Sequence, residues 1–165
     1  MSVPPRYSVH TSTGGDQMAE SEKTMRERWM DLLGEDGFRP HLEVNDEEPE
    51  RCRIAFRAEG LTYHLYLHNG DTTFFNFTLC YRLGTYAMAP DFAVLAAANE
   101  ENHEAKVAKL TVNLQDRSVT IGMEGFCEVL PTTTILERMV DQCRYSADRF
   151  FNRVKSSART MPLAS

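Results

Sequence analysis

The chain has 165 residues, and its 18 basic and 24 acidic side chains give a formal net charge of -6. A chain of this length forms a single domain with one core by default. Its acidic balance repels nucleic-acid phosphates and anionic lipid surfaces on average, so we predict neither a nucleic-acid partner nor a membrane partner. The sequence contains no apolar stretch as long as a signal peptide or a membrane-spanning helix. We therefore expect a soluble, cytoplasmic protein.

The two ends of the chain differ from the middle in composition. Residues 1 to 18 are rich in Pro, Gly, Ser and Thr and show no sustained hydrophobic period, which predicts a flexible N-terminal tail. Residues 156 to 165 lose the pattern of the helix before them and predict a flexible C-terminal tail. The single folded domain is predicted over residues 19 to 155.

The first predicted helix begins with Ser21 as its N-cap and ends at Gly34 or Gly37. Its apolar stripe consists of Met25, Trp29, Leu32 and Leu33, at the spacing of one helix face. A first strand follows over residues 38 to 44, and Pro40 predicts that this strand is irregular or lies at a sheet edge.

Period-two alternation then predicts a meander of three strands. In the second strand Cys52, Ile54 and Phe56 form the apolar side, and in the third Tyr63 and Leu65 do so. Glu59-Gly60 and Asn69-Gly70 are typical of tight turns, and the second pair joins the third strand to a fourth over residues 72 to 83.

A second helix is predicted to start at Pro90 and Asp91, with Phe92, Leu95, Ala96 and Asn99 on a common side. A strand pair over about 106 to 129 comes next. A third helix opens after Pro131, and its long apolar stripe consists of Leu136, Val140, Cys143, Ala147, Phe150, Phe151 and Val154. The predicted fold class is α+β, with an antiparallel sheet and helices in the order α-β-β-β-β-α-β-β-α.

With this order of elements, residues 19 to 153 resemble the YbjN-like family of bacterial proteins, described as sensory-transduction regulators, and the type III secretion chaperone-like fold. The resemblance depends on the pair Gly37 and Phe38 after the first helix, and on the run from Ala98 to Lys109 that contains Asn99 and Asn102. It implies a small acidic protein of the cytoplasm, without an established active site, that forms a homodimer and holds a protein partner through exposed apolar surface.

One group of side chains is a candidate partner-binding surface because it occupies the sheet face opposite the predicted core. Cations and aromatic rings on such a face can receive an acidic or aromatic segment of a partner. The competing interpretation is the ordinary solvated side of an antiparallel sheet. The candidate residues are Arg53, Arg57, His64, Tyr66, Phe74 and Asn76.

Other patterns point to structure more than to chemistry. His64 and His68 share a strand face but stand about 13 Å apart, too far to bind one metal ion together. Asn99 and Asn102 are interpreted as closing backbone groups where a helix meets a strand, with ligand contact as the alternative. The acidic run at residues 100, 101 and 104 is interpreted as a solvated helix end.

The cysteines are expected to be reduced core residues, because they lie far apart, each inside an apolar pattern. These are Cys52, Cys80, Cys127 and Cys143.

The sequence therefore predicts a non-catalytic protein-binding module, chaperone-like or regulatory, that acts through apolar surface as a dimer. No nucleophile elbow, phosphate loop or metal-ligand spacing is present, so we predict no enzyme activity, no metal and no cofactor. The alternative function is a small-molecule sensor with a pocket between the sheet and the helices, beside Trp29.

Overall fold

The computed structural model describes residues 24 to 44, 51 to 68, 71 to 86 and 88 to 159. Three helices and six strands follow in the predicted order, so the α+β prediction is confirmed. The predicted tail 1 to 18, Ser21, and the turns at 45 to 49 and 69 to 70 lie outside the described residues. The elements are α1 (Met25–Glu35), β1 (His41–Val44), β2 (Arg51–Ala58), β3 (Leu61–His68), β4 (Asp71–Arg82), α2 (Asp91–Glu104), β5 (Lys109–Asn113), β6 (Ser118–Phe126) and α3 (Thr133–Arg159).

The six strands form one antiparallel sheet in the order β1-β2-β3-β4-β6-β5. The expected edge position of β1, beside Pro40, is confirmed. Glu59 and Gly60 connect β2 to β3 with positive φ angles of 51° and 80°, as a tight hairpin turn requires. The sheet therefore continues as a meander from β1 to β4 before β6 and β5 extend it.

Helix α1 begins later than the sequence pattern suggested. Its N-cap is Thr24, not Ser21, because Thr24 and Glu27 form a reciprocal capping box in which each side chain bonds the other residue's backbone N–H. The helix ends at Glu35, and Gly37 then adopts a positive φ of 82°. Trp29 and Leu33 are completely buried, which confirms the predicted stripe.

The hydrophobic core lies between one face of the sheet and the helices. Phe56, Tyr63 and Phe77 come from three adjacent strands, and their ring centroids lie 5.5 to 5.9 Å apart. Trp29 of α1 and the apolar stripe of α3 complete this core. The predicted inward sides of β2 and β3 are confirmed, because the alternation of buried and exposed residues follows them, and β6 alternates in the same way.

The side of helix α2 that carries its largest apolar residues faces away from the core. Ala93, Val94 and Ala97 are buried, whereas the common side formed by Phe92, Leu95, Ala96 and Asn99 is exposed. The small residues allow α2 to lie close to α3 and β5, and this close packing leaves the larger side chains facing outward.

Helix α3 continues to Arg159, so residues 156 to 159 are helical although the sequence pattern placed them in the C-terminal tail. The hydroxyl of Ser156 donates to the carbonyl of Asn152 at 3.0 Å, which is compatible with a continuing helix. Among the described residues, no helix has the length and apolar character needed to cross a membrane.

Candidate functional site on the open face of the sheet

The sheet face opposite the helices is organised in rows that cross the strands. In the first row, residues in register on five adjacent strands carry polar side chains: Glu43, Arg53, Tyr66, Asn76 and Glu124. Directly opposed residues of antiparallel strands have Cβ atoms about 5 Å apart, so such neighbours can contact one another. We call this row the polar row. It brings together four strands of the meander and β6, which is distant in sequence.

Arg53 is held in place by its neighbours in the polar row. Its guanidinium forms an ion pair with Glu43 and a hydrogen bond with the side chain of Tyr66. The bond with Tyr66 and the charge of Glu43 raise the pKa of Arg53 above its ordinary value. A guanidinium has five N–H donors, so these two contacts leave donors for a further acceptor in a fixed orientation.

The other half of the polar row is connected by an amide. Asn76 Nδ2 donates to Glu124 Oε1 at 3.1 Å, which joins β4 to β6 through their side chains. Glu124 was not among the candidate residues, because nothing local in the sequence shows which strand lies beside β4. The alternation of β6 shows that Glu124 points away from the core, but only the strand order places it beside Asn76.

A second row, next to the polar row, contains small residues. Ala55, Thr78 and Gly122 lie in register, with His64 between Ala55 and Thr78. Partial burial lowers the pKa of His64 below its ordinary value of 6.5, and the nearby charge of Arg53 adds to that effect. His64 is therefore predominantly neutral at pH 7. The small side chains make this row lower than the polar row.

Together, the rows form a groove of about 680 Å³ on the open face. Five of the six candidate residues line it: Arg53, His64, Tyr66, Phe74 and Asn76. Arg57 does not line this groove; it is exposed and lies opposite Thr62, near the turn between β2 and β3. Lining residues outside the candidate set are Arg51, Leu67, His68, Thr78, Cys80, Thr120 and Glu124.

A second concavity of about 420 Å³ continues the groove towards β5. It shares Asn76, Thr78, Thr120 and Glu124 with the first and adds residues of β5 such as Lys109 and Thr111. The two concavities together cross from β2 to β5, which are four strand spacings apart. At about 4.8 Å per spacing this distance is about 19 Å.

The cysteines divide between the core and the surface. Cys52 and Cys143 are buried, as predicted, and burial raises the pKa of Cys143 to about 12. Cys127 is partly buried against the core. Cys80 is exposed on the open face, so its assignment to the core was wrong. Phe77, Leu79 and Tyr81 lie on the inward side of β4, and Cys80 alternates with them. The apolar residues around Cys80 in the sequence therefore do not indicate that Cys80 itself is buried.

Asn102 closes the junction between α2 and β5, as the sequence predicted. Its Nδ2 donates to the carbonyl of Leu110 at 2.9 Å, and its Oδ1 accepts from the N–H of Leu110 at 2.6 Å. Lys109 Nζ donates to the carbonyls of Asn102 and Ala105 at the end of α2. Asn99 is exposed on the outward side of α2, so Asn102 provides the closure at this strand.

The acidic run of α2 is not a solvated helix end, contrary to the sequence interpretation. Glu101 is 1% exposed, and its Oε2 lies 2.8 Å from Nε of Arg149 and 3.6 Å from Nε of Arg153 on α3. Glu100 and Glu104 also pair with these arginines. The arginines lie four apart on α3, and the packing of α3 against α2 brings them to the carboxylates. These three carboxylates therefore form an ionic contact between α2 and α3.

The region proposed for a small-molecule pocket is filled by protein side chains. Trp29 is completely buried, and its ring packs against Phe75 with 5.7 Å between the centroids. Its indole N–H is buried without an acceptor among the described residues. Within the described ranges, no group of three or more His, Cys, Asp or Glu residues is arranged to hold a metal ion.

Comparisons with known proteins identify the fold but not a family. No protein-family model matches the chain, and no curated protein matches it. Among solved structures, the chain is similar to the crystal structure of an uncharacterized protein from Methanothermobacter thermautotrophicus. The TM-score is 0.62 at 13% sequence identity, over 81% of this chain and 99% of that one. At this identity the likeness establishes a shared α+β fold, and membership of the YbjN-like family remains a prediction.

Proposed function

We propose that this protein is a non-catalytic binding module for another protein, with a chaperone-like or regulatory role, and that the open face of the sheet is its binding surface. The observation that carries the proposal is the groove that five of the six candidate residues line. A groove bounded by a fixed guanidinium and aromatic rings provides the kinds of side chain that dominate binding energy at protein interfaces.

The charge and aromatic content of the groove favour binding over simple solvation. The exposed face of an ordinary antiparallel sheet is polar but need not contain a cross-strand network. Here the polar row fixes Arg53 before any partner arrives, so that less side-chain entropy is lost on binding. The half-buried Tyr66 and Phe74 add apolar area beside it.

We further propose that the protein acts as a homodimer, as the resemblance to the YbjN-like family implies, in the bacterial cytoplasm. The outward side of α2 is the apolar surface that supports this part of the proposal. Phe92 and Leu95 are 61% and 46% exposed at the spacing of one helix face, and Met88, in the turn before α2, is 93% exposed. Exposed apolar residues that adjoin one another are more typical of a contact surface than isolated ones.

The second candidate function is a small-molecule sensor. The groove volume of about 680 Å³ lies within the range of ligand pockets, which favours this candidate independently of the space beside Trp29. A metabolite screen that follows melting temperature tests it, since a ligand that binds only the folded state raises that temperature.

Affinity capture from the native host tests the leading proposal. The wild-type protein, a double variant with Arg53→Gln and Tyr66→Ala, and the control Arg57→Gln are compared as baits, with bound proteins quantified by mass spectrometry. We expect a partner that the wild type and the control retain and the double variant loses. Equal recovery by all three baits would contradict the role of the groove, and a monomer by light scattering would contradict the dimer.

A further inference from the structure

The open face carries charge of the opposite sign to the rest of the chain. Its outward positions present five permanently charged cations and three carboxylates, a formal balance of +2, whereas the whole chain has a net charge of -6. A cationic surface on an acidic protein favours acidic partners and speeds their approach. The cations are Arg51, Arg53, Arg57, Arg82 and Lys109, and the carboxylates are Glu43, Asp71, which lies opposite His68, and Glu124.

The cationic groups of the groove are concentrated at one end. Arg51 and Arg53 lie on β2, and their cross-strand partners are His68 and Tyr66 on β3. All four side chains line the groove. Because Tyr66 and Glu43 hold the guanidinium of Arg53, an incoming carboxylate meets a donor that is already oriented.

Aromatic rings adjoin this cationic end. Phe74 of β4 lines the groove, and its ring packs edge-on against Phe126 of β6 with 5.4 Å between the centroids. Phe126 is 74% exposed, so the pair has apolar surface available for contact. On β3, the ring of Tyr66 lies 6.2 Å from that of His64. The groove therefore offers aromatic surface on β3 and β4, the two strands that follow the strand with Arg51 and Arg53.

The length of the groove suits a short extended peptide. The two contiguous concavities cross about 19 Å of sheet, and an extended chain advances about 3.3 Å per residue, so about six residues cover the distance. Side chains of an extended segment point to the same side at every second position. Acidic residues at the sheet-facing positions of one half would bring carboxylates to Arg51 and Arg53, and an aromatic residue at a sheet-facing position of the other half would bring a ring to Phe74.

We infer that the occupant of the groove is an extended, acidic, aromatic-containing segment of a partner protein, lying across the strands with its carboxylates at the β2 and β3 end. This inference rests on the proposed protein-binding function and specifies the chemistry of the partner. A protein segment fits better than a nucleic acid, because Glu43 and Glu124 border the polar row at both ends and repel a continuous phosphate backbone.

Synthetic peptides test this chemistry directly with the purified full chain. The probe is a fluorescein-labelled peptide of about ten residues with Glu in one half and Tyr in the other, a length that exceeds the groove by a few residues. The comparison probes are the matching Gln and Tyr peptide, the matching Lys and Tyr peptide, and an oligothymidine of equal length. Fluorescence anisotropy gives each Kd, and repetition at higher NaCl concentration shows the ionic contribution.

Arg53→Gln and Arg57→Gln form a matched pair of variants. Both replace an arginine on the same face of β2, but only Arg53 lines the groove. We expect Arg53→Gln to weaken binding of the acidic peptide about tenfold or more, the effect of losing one charge-assisted contact, and Arg57→Gln to change it less than about twofold. Tyr66→Phe, which keeps the ring but removes the hydroxyl bonded to Arg53, supplies a second variant if Arg53→Gln fails to fold.

The possible outcomes separate the two proposals. Tighter binding of the acidic peptide than of all other probes, with loss only on Arg53→Gln or Tyr66→Phe, supports the inferred chemistry. Equal binding of the Gln and Tyr peptide, tighter binding of oligothymidine, or absence of peptide binding overturns it. If affinity capture still yields a partner that depends on the groove, the proposed function stands while this inferred chemistry fails.

Discussion

The two faces of one sheet behave differently although the same strands build both. The helix-covered face contains closely packed rings of Phe56, Tyr63 and Phe77, whereas the open face contains the polar row and a groove. On β4, Phe77 is completely buried and the preceding Asn76 is only partly buried. Alternation along a strand thus separates the residues that stabilise this fold from those available for binding.

Removing a ring from the covered face provides the largest expected difference between the faces. Phe77→Ala leaves a cavity between Phe56 and Tyr63, and we expect it to lower the free energy of unfolding by about 4 kcal/mol. Asn76→Ala, one residue earlier on the open face, loses a hydrogen bond to Glu124 and is expected to cost about 1 kcal/mol. Urea denaturation measures both. Equal losses would contradict the division between the faces.

A similar comparison applies to the ionic contact that fastens α2 over the core. Glu101→Gln removes the buried carboxylate that Arg149 and Arg153 face, and we expect a loss of about 3 kcal/mol because only the more exposed carboxylates of Glu100 and Glu104 then pair with the two guanidinium groups. The control is Glu104→Gln, whose side chain is 44% exposed, so that water screens its ion pairs. Its expected cost is below about 1 kcal/mol. If Glu104→Gln lowered the free energy of unfolding as much as Glu101→Gln, burial would not set the strength of this contact.

The two asparagines of α2 differ in their contacts with the edge strand β5. Asn102→Ala removes both hydrogen bonds to the backbone of Leu110, with an expected loss of about 2 kcal/mol. Asn99→Ala, three residues earlier on the exposed side, is expected to change stability by less than about 0.5 kcal/mol. Hydrogen exchange of the Leu110 amide, followed by NMR, should accelerate only in the first variant. Unchanged exchange there would show that this bond does not protect the strand.

Protonation of His64 is expected to have the smallest effect. The pKa of His64 is lowered in the folded protein, chiefly by burial and then by Arg53, while His41 also lowers it and Glu43 opposes the shift. The unfolded chain then binds the proton more readily, so stability present above pH 6.5 is lost as the pH falls through the folded pKa. His64→Gln should flatten this part of the stability profile. If the stability of His64→Gln fell below pH 6.5 as steeply as that of the wild type, other titrating groups would be responsible for the slope.

Much of the fold was predictable because it depends on local patterns. The alternation of Cys52, Ile54 and Phe56 correctly indicated the covered side of β2, and by exclusion the open side that carries Arg53. The capping box at Thr24 was also readable in principle, since it needs only a threonine and a glutamate three residues apart. The Ser21 prediction erred because several residues near this helix start can cap it.

Errors arose where the environment of a side chain depends on a distant segment. Cys80 has an apolar neighbourhood in sequence but an exposed position on the sheet. The acidic run of α2 resembled a solvated helix end until Arg149, 48 positions beyond Glu101, proved to face it. The sequence also left open which side of α2 faces inward, and the packing distance between helices decided for the side with Ala93, Val94 and Ala97.

The order of the elements, the α+β class and the division of each strand into two sides follow from the local sequence pattern. These properties follow from backbone geometry, which repeats every two residues in a strand and every 3.6 in a helix. Three other features depend on the assembled fold: Glu124 lies beside Asn76, Arg57 lies outside the groove and Glu101 is buried between helices. Strand order and helix packing place these residues together, and both depend on contacts between segments far apart in the chain.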